Sequence, residues 1–146
     1  MTAPLCRRMD DGSYEGFKTA VRWRWGLVQA TALFPGHEAA SLHAGLTASA
    51  GAAMAVDRDK FNRLGGFDRL YLPGRLEDLD FALRGYLAGW HARYVPQSVV
   101  LHRGMATFGE VYGRDGCDQL ALRNTLLMQW KNLRCPGIQR PAVTER

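Results

Sequence analysis

One stretch of the chain, residues 65–102, constrains the fold and the function more than any other. It begins with a loop that contains Gly65 and Gly66 and continues into an alternation of apolar and polar residues over 77–87. The apolar positions follow the i, i+3, i+4, i+7, i+8 series of one helical face, which predicts an amphipathic helix. These positions are Leu79, Ala82, Leu83, Tyr86 and Leu87. The predicted helix therefore packs on a core through one face and presents its other face to solvent.

Acidic residues are concentrated in the first turn of this predicted helix. Glu77, Asp80 and Arg84 share a face away from the apolar stripe, and Asp78 projects near its edge. Because a loop rich in glycine and proline leads into that turn, we expect the carboxylates to stand at a cleft mouth on a rigid element. Acids in a first turn are also favoured by the helix dipole without any catalysis. The spacing alone leaves both interpretations open, and Asp80 with Arg84 also forms an i, i+4 pair that can brace the loop.

A strand ending in a histidine is predicted after the helix. Gly89 is a typical residue for ending a helix in the left-handed conformation, and residues 90–95 read as a strand that Pro96 halts. A further apolar run at 99–101 places His102 at its end. From these residues alone, His102 is either a structural histidine at a strand end or a functional one.

These pieces and their neighbours occur in one order along the chain. They are Gly51-Ala52-Ala53-Met54, Phe61, Gly65-Gly66-Phe67-Asp68, Glu77-Asp78-Leu79-Asp80 with Arg84, Gly89, Tyr94-Val95-Pro96, His102 and the pair Arg123-Asn124. In this order they resemble the family 2 glycosyltransferases, which have the GT-A fold. The resemblance covers roughly residues 45–132 and matches only the C-terminal, acceptor-side half of such an enzyme.

The resemblance implies an α/β fold, a partial GT-A (Rossmann-like) glycosyltransferase domain with a mixed sheet flanked by helices. We expect a single partial domain over residues 1–146. It comprises a leading segment 1–44, an acceptor-side core 45–133 and a loose tail 134–146. Within the leading segment, residues 1–14 read as polar with a turn signal in Asp10-Asp11-Gly12-Ser13.

The resemblance also implies an activity. It is the transfer of a sugar, with inversion, from a nucleotide-diphosphate sugar to a hydroxyl of a glycan or lipid-linked acceptor. Such a transfer needs a base for the acceptor proton, and the family pattern assigns that role to Asp78. Glu77 would hold the acceptor or orient Asp78. Asp80, Gly51 and Arg84 are the expected acceptor contacts.

A divalent metal, Mn²⁺ or Mg²⁺, is the implied cofactor, and His102 is the position that matches a metal ligand. One imidazole does not make such a site, because these ions prefer several oxygens. Asp57-Arg58-Asp59 spells the metal motif of the superfamily, but it follows the predicted buried strand 46–56 instead of preceding it. We therefore interpret Asp57 as the N-cap of a short helix ending at Leu64. The nucleotide-binding half and its metal ligands are expected to lie outside this chain.

Composition limits the partners. The net charge of +5 favours anionic partners such as nucleotide sugars and acidic lipid headgroups. No helix-turn-helix, zinc-finger or RNA-motif signature occurs, so nucleic acid is not an expected partner. Three cysteines without a Cys-x-x-Cys spacing predict free thiols in a reducing compartment. With no apolar run of spanning length, we expect a cytoplasmic protein, in position to act at the inner face of the membrane.

Two further segments bear on partners. The alternation Val21-Arg22-Trp23-Arg24-Trp25 suits a strand. Its tryptophans could lie at a membrane interface, stack on a sugar or base, or form a half-buried edge with snorkelling arginines. The late helix predicted over 117–133 is apolar on two sides, which is typical of packing in a larger assembly or against a membrane. If one half of the domain is supplied elsewhere, self-association would cover the open sheet edge.

A second hypothesis belongs to a different functional class. The chain could be a non-catalytic fragment or a module that binds a glycan or a partner chain. The missing metal motif favours this alternative, and glycan binding without any nucleotide requirement would distinguish it from the transferase.

Overall fold

The structure is a computed structural model that describes residues 1–16, 18–25 and 27–132. The strands are β1 (Thr2–Arg8), β2 (Tyr14–Gly16), β3 (Ala20–Arg24), β4 (Leu27–Thr31), β5 (Gly45–Leu46) and β6 (Arg93–His102). The helices are α1 (His37–Ser41), α2 (Arg58–Arg63), α3 (Glu77–Leu87) and α4 (Ala106–Asn132). The predictions for Leu133, Cys135 and the tail 134–146 fall outside the described residues.

A mixed sheet forms the centre of the fold and helices flank it, as predicted for an α/β fold. Its strand order is β2-β1-β6-β5. β1 runs parallel to β6, whereas β2 and β5 are antiparallel to their neighbours. β3 and β4 form a separate antiparallel hairpin. The alternating pattern around Val21 is thus confirmed as a strand.

The N-terminal residues contradict the prediction of a polar leading segment. β1 is an inner strand of the sheet, and its residues Ala3, Leu5 and Cys6 are buried. It pairs with β6 from Thr2↔Arg93 to Arg8↔His102. The prediction was wrong because β1 is buried by pairing with a strand some ninety residues later. That contact has no local signature.

The predicted buried strand over 46–56 is also wrong in extent. β5 pairs with β6 and Ala55 forms an isolated bridge to Thr2, but a 3₁₀ turn over Gly51–Ala53 separates these two pairings. Side chains in this segment bond to nearby backbone: Thr47 Oγ1 donates to the Ser49 carbonyl at 2.7 Å. Such local bonds compete with the hydrogen bonds of a sheet. Thr47, Ser49 and Ala50 are nevertheless buried.

Several local predictions are confirmed. The Asp57 carboxylate accepts from the Lys60 backbone N–H at 2.9 Å, which caps α2. The helix predicted over 77–87 has those bounds in α3, and Gly89 follows its end with φ of 80°. The two short strands predicted around Pro96 are one strand, β6, with an irregularity where Val95 and Val99 pair with successive residues of β1.

The last helix begins earlier than predicted. α4 starts at Ala106 and is interrupted at Gly113, whose φ of 63° is not helical. Its second part buries Cys117, Asn124 and Met128 but leaves Trp130 exposed. An apolar face outside the core is therefore present on the described part of this helix.

A buried carboxylate joins α3 to α4 and to the loop before α3. The side chain of Asp80 has no exposed surface. It accepts from Tyr71 Oη at 2.8 Å, Arg84 Nε at 2.7 Å, Lys131 Nζ at 3.0 Å and Asn132 Nδ2 at 2.7 Å. Burial alone would raise the pKa of Asp80, but these donors outweigh burial and lower it.

This network corrects the expectation that all the acids of α3 stand on an exposed face. Asp80 and the adjacent Phe81 are both fully buried, so α3 packs on more than its predicted apolar stripe. Leu87, which belongs to that stripe, is instead 71% exposed. Arg84 also donates to the carbonyls of Leu64 and Gly66, which ties α3 to the loop after α2.

We predict that Asp80→Ala lowers the free energy of unfolding by roughly 3–5 kcal/mol, because it removes the ion-pair partner of Arg84 and the acceptor of the buried Tyr71 hydroxyl. Urea denaturation at neutral pH measures this change. The loss shrinks as the pH falls through the lowered native pKa of Asp80, since protonation removes the same charge. Asp118→Ala, at an exposed position of α4, is the control and should change stability little. Equal stability of the two variants would contradict the assigned network.

Candidate functional site

A cleft of about 940 Å³ lies at the N-terminus of α3. Its walls come from β1, β2 and β4, from residues 49–51, from the start of α3, and from the segment 102–108 that joins β6 to α4. Four of the six predicted site residues line it: Gly51, Glu77, Asp78 and His102. The structure therefore brings these residues into one place although they are distant in sequence.

Asp78 is held by a chain of hydrogen bonds. Ser49 Oγ donates to Asp78 Oδ2 at 2.8 Å, and the Gly51 backbone N–H donates to the same hydroxyl oxygen at 3.2 Å. Thr47 fixes the Ser49 backbone as described above and accepts from the Thr19 backbone N–H at 2.8 Å. The 3₁₀ turn that carries Gly51 thus orients the carboxylate of Asp78 from across the cleft.

The backbone that leads into α3 is strained. Arg75 and Leu76 adopt φ values of 80° and 67°, which residues other than glycine seldom do. Asn124 of α4 compensates by donating to the carbonyls of Gly74 and Arg75, both at 2.8 Å, and to that of Tyr71 at 3.2 Å. This left-handed entry directs the first turn of α3 toward the cleft.

Two further contacts hold the same loop. Arg123 donates to the carbonyls of Leu70 and Leu72, both at 3.1 Å. A Cβ atom at Gly74 would lie 2.6 Å from the ring of Phe108, so only glycine fits there without a shift of that ring. The pair Arg123-Asn124, which the sequence analysis singled out, therefore has a structural role in shaping the cleft.

Glu77 lies half-buried beside Asp78. Its Oε2 is buried and has no hydrogen-bond partner among the described residues. Burial raises the pKa of the Glu77 carboxyl, and the negative charge of Asp78 raises it further. Glu77 and Asp78 thus stand in different surroundings, because the Glu77 oxygen is buried without a partner in the described part of the chain, whereas Asp78 accepts from Ser49 in the cleft.

His102 lies at the end of β6 as predicted, and its Nδ1 is 2.8 Å from Glu15 Oε2. Both residues also line a smaller cavity of about 430 Å³. The pair offers one nitrogen and one carboxylate to a metal. Within the described ranges, no cluster of three or more candidate ligands from His, Cys, Asp and Glu is found. These residues do not by themselves fit Mn²⁺ or Mg²⁺, which prefer several oxygen ligands.

Two predicted acceptor contacts lie away from the cleft lining. Asp80 is fully buried and Arg84 is bonded to it and to loop carbonyls. Their observed contacts hold α3 in place. This agrees with the other role that the sequence allowed, in which the Asp80–Arg84 pair braces the loop. Acceptor contact by these residues stays a prediction.

Three residues of the site were not predicted from the sequence: Ser49, Glu15 and Arg75. Ser49 stands two residues before Gly51, within a segment read only as a buried strand. Glu15 follows the confirmed turn at 10–13. If β1 had been predicted as a strand, this turn would have indicated a hairpin that places Glu15 beside β1. Nothing in the sequence marks Arg75, because a left-handed arginine has no local signal.

Comparison with known proteins adds no identity: no family model matches the chain, and no curated protein matches it. In the described part of the chain, no helix combines the length and the apolar character that crossing a membrane requires.

We predict that Glu77→Gln stabilises the protein at pH 7–8 relative to the wild type. The raised native pKa means that the wild type loses stability as the pH rises from the unfolded-state pKa of Glu through the native one, and glutamine does not ionise. Urea denaturation measured from acidic pH up to pH 8 should show that the free energies of unfolding of the two proteins converge as the pH falls. Glu110→Gln, at an exposed position of α4, is the control. A difference that does not vary with pH would contradict the burial of an ionisable Glu77.

Proposed function

We propose that this chain is the acceptor side of an inverting, GT-A-type family 2 glycosyltransferase. It acts with a nucleotide-diphosphate sugar as donor and a glycan or lipid-linked hydroxyl as acceptor. One observation carries the proposal. Gly51, Glu77, Asp78 and His102 were selected from the order of motifs alone, and all four line a single cleft.

In this proposal Asp78 is the general base. Its carboxylate takes the proton of the acceptor hydroxyl while the hydroxyl oxygen forms a bond to the anomeric carbon. The bond from that carbon to the phosphate oxygen breaks on the opposite face, and its electron pair leaves with the nucleoside diphosphate. Ser49 holds the carboxylate through the hydrogen bond to Oδ2, which limits the orientations from which Asp78 can approach the hydroxyl.

Glu77 and two cations complete the proposed chemistry. Glu77, whose pKa is raised by burial and by the charge of Asp78, would hold the acceptor or orient Asp78. Arg75 and Arg103 line the same cleft, and positive charge there would stabilise the departing diphosphate. No step is assigned to a metal, because the described residues do not complete a metal site.

The partner predictions belong to the same proposal. Trp25, at the turn of the β3–β4 hairpin, is 84% exposed, and the Arg24 guanidinium lies 4.4 Å from its ring centroid. An exposed tryptophan beside arginines favours peripheral contact with an anionic membrane surface. Trp130 and Leu122 on α4 are also exposed, at 78% and 58%, and such a face favours self-association or packing in a larger assembly.

The test uses the natural polypeptide that carries this sequence, incubated with a panel of nucleotide-diphosphate sugars and glycan acceptors. Mass spectrometry detects the extended glycan, and a coupled assay detects the released nucleoside diphosphate. We predict that Asp78→Asn lowers turnover at least about 100-fold, the usual contribution of a general base, without changing the melting temperature by more than a few degrees. Asp59→Asn, an exposed acid of α2 outside the cleft lining, should retain turnover.

A weaker variant separates positioning from proton transfer. Ser49→Ala leaves the carboxylate of Asp78 but removes its hydrogen bond, so its turnover should fall between those of the wild type and Asp78→Asn. Full turnover in Asp78→Asn would overturn the assignment of the base. Glycan binding on an array, with no release of nucleoside diphosphate from any donor, would favour the alternative of a non-catalytic binding module.

A further inference from the structure

Glu15 occupies an irregular position in the sheet. Cys6 and Arg7 are adjacent in β1, yet they pair with Gly16 and Tyr14 of β2. Glu15 is therefore the extra residue of a β-bulge. Bulges redirect a side chain and are enriched beside active sites.

The redirected side chain reaches past β1 to the next strand. β1 lies between β2 and β6, and His102 ends β6 opposite Arg8. Glu15 Oε2 nevertheless lies 2.8 Å from His102 Nδ1, with 19% of the Glu15 side chain exposed. Because β2 and β6 are not neighbours in the sheet, the Glu15 side chain has to cross β1 to make this contact. The bulge at Glu15 provides the direction that this crossing needs.

Gly104 provides the space for this carboxylate. A Cβ atom built at Gly104 would collide with the Glu15 carboxylate. The segment that follows His102 is therefore shaped around Glu15 as well, and the pair is enclosed from two sides. Glu15, His102 and Gly104 all line the cleft that contains Asp78.

The chemistry of the pair follows from its geometry. A carboxylate accepts hydrogen bonds, so Nδ1 of a neutral His102 must carry the proton and donate to Glu15. The lone pair of the ring is then on Nε2. Carboxylates orient functional histidines in this way.

We propose that Glu15 is a positioning residue that fixes His102 as the Nδ1–H tautomer and commits its Nε2 lone pair to a ligand in the cleft. The catalytic use of that lone pair rests on the proposed transferase function, whereas the tautomer does not. The ligand is a sugar hydroxyl of the bound acceptor, which donates a hydrogen bond to Nε2.

The first experiment is long-range ¹H–¹⁵N correlation NMR of the histidine side chains, at mildly alkaline pH where histidine is ordinarily neutral. His102→Gln identifies the His102 signals. We expect the Nδ1–H tautomer in the wild type and in Glu15→Gln, whose amide oxygen can still accept. We expect Glu15→Leu to lose it. Gly104→Ala should lose it as well, because the added methyl group displaces the Glu15 carboxylate without altering Glu15.

An Nε2–H tautomer in the wild type, or an unchanged tautomer in Glu15→Leu, would overturn the proposal. Addition of acceptor glycan to the wild type tests the ligand, and we expect it to shift the His102 Nε2 signal. A His102 signal that stays in place with the glycan, or that Mn²⁺ selectively broadens instead, would overturn the assignment of Nε2 to a hydroxyl.

The second experiment is turnover of the natural polypeptide. Glu15→Leu should lower it about 10–100-fold, the usual cost of removing an orienting carboxylate, and Glu15→Gln should restore most of it. A lost tautomer with unchanged turnover would overturn the positioning role. If the wild type transfers no sugar at all while its histidine is the Nδ1–H tautomer, the transferase proposal fails and the Glu15–His102 geometry stands.

Discussion

The buried carboxylate of Asp80 is the interaction on which the rest of the site depends. A charge with no access to water is stable only when several donors surround it, and Asp80 has donors from Tyr71, Arg84, Lys131 and Asn132. These four come from a second 3₁₀ turn, Arg69–Tyr71, from α3 itself and from the end of α4. The requirement to satisfy one charge therefore sets the position of α3 relative to α4. Through α3, it also sets where the first-turn acids emerge.

Those first-turn acids show how one short sequence yields three different chemical groups. Asp80 faces the interior and is fully paired, Glu77 is half-buried with an unpartnered oxygen, and Asp78 lines the cleft with a hydrogen bond from Ser49. Residues that are almost adjacent along the chain differ in burial because successive side chains of a helix point in different directions around its axis. That division assigns stability to Asp80 and leaves Asp78 and Glu77 for chemistry.

Local signals account for what the sequence predicted correctly. The bounds of α3, the Asp57 cap, the turn at 10–13 and the strand end at His102 all depend on residues within a few positions of one another. Non-local signals account for the errors. β1 was not predicted because its partner strand lies far along the chain. Since β2 pairs with β1, the position of β2 could not be predicted either.

The missed site residues follow from the same cause. Glu15 depends on a bulge between two strands of which one was not predicted, and Ser49 depends on a turn where a strand was expected. The strained, left-handed Arg75 and Leu76 lie in a loop that Asn124 and Arg123, from another helix, hold by hydrogen bonds. Hydrophobic periodicity carries none of this information, whereas the order of motifs predicted four residues that the fold brings together.

The most direct test of the central claim is a crystal structure of the natural polypeptide with a nucleoside diphosphate and an acceptor glycan bound. The account predicts the acceptor hydroxyl at about 2.6–3.2 Å from the Asp78 carboxylate, the reach of a general base, with Ser49 still bonded to that carboxylate. An acceptor bound outside this cleft, or bound within it with Asp78 turned away from every hydroxyl, would contradict the account.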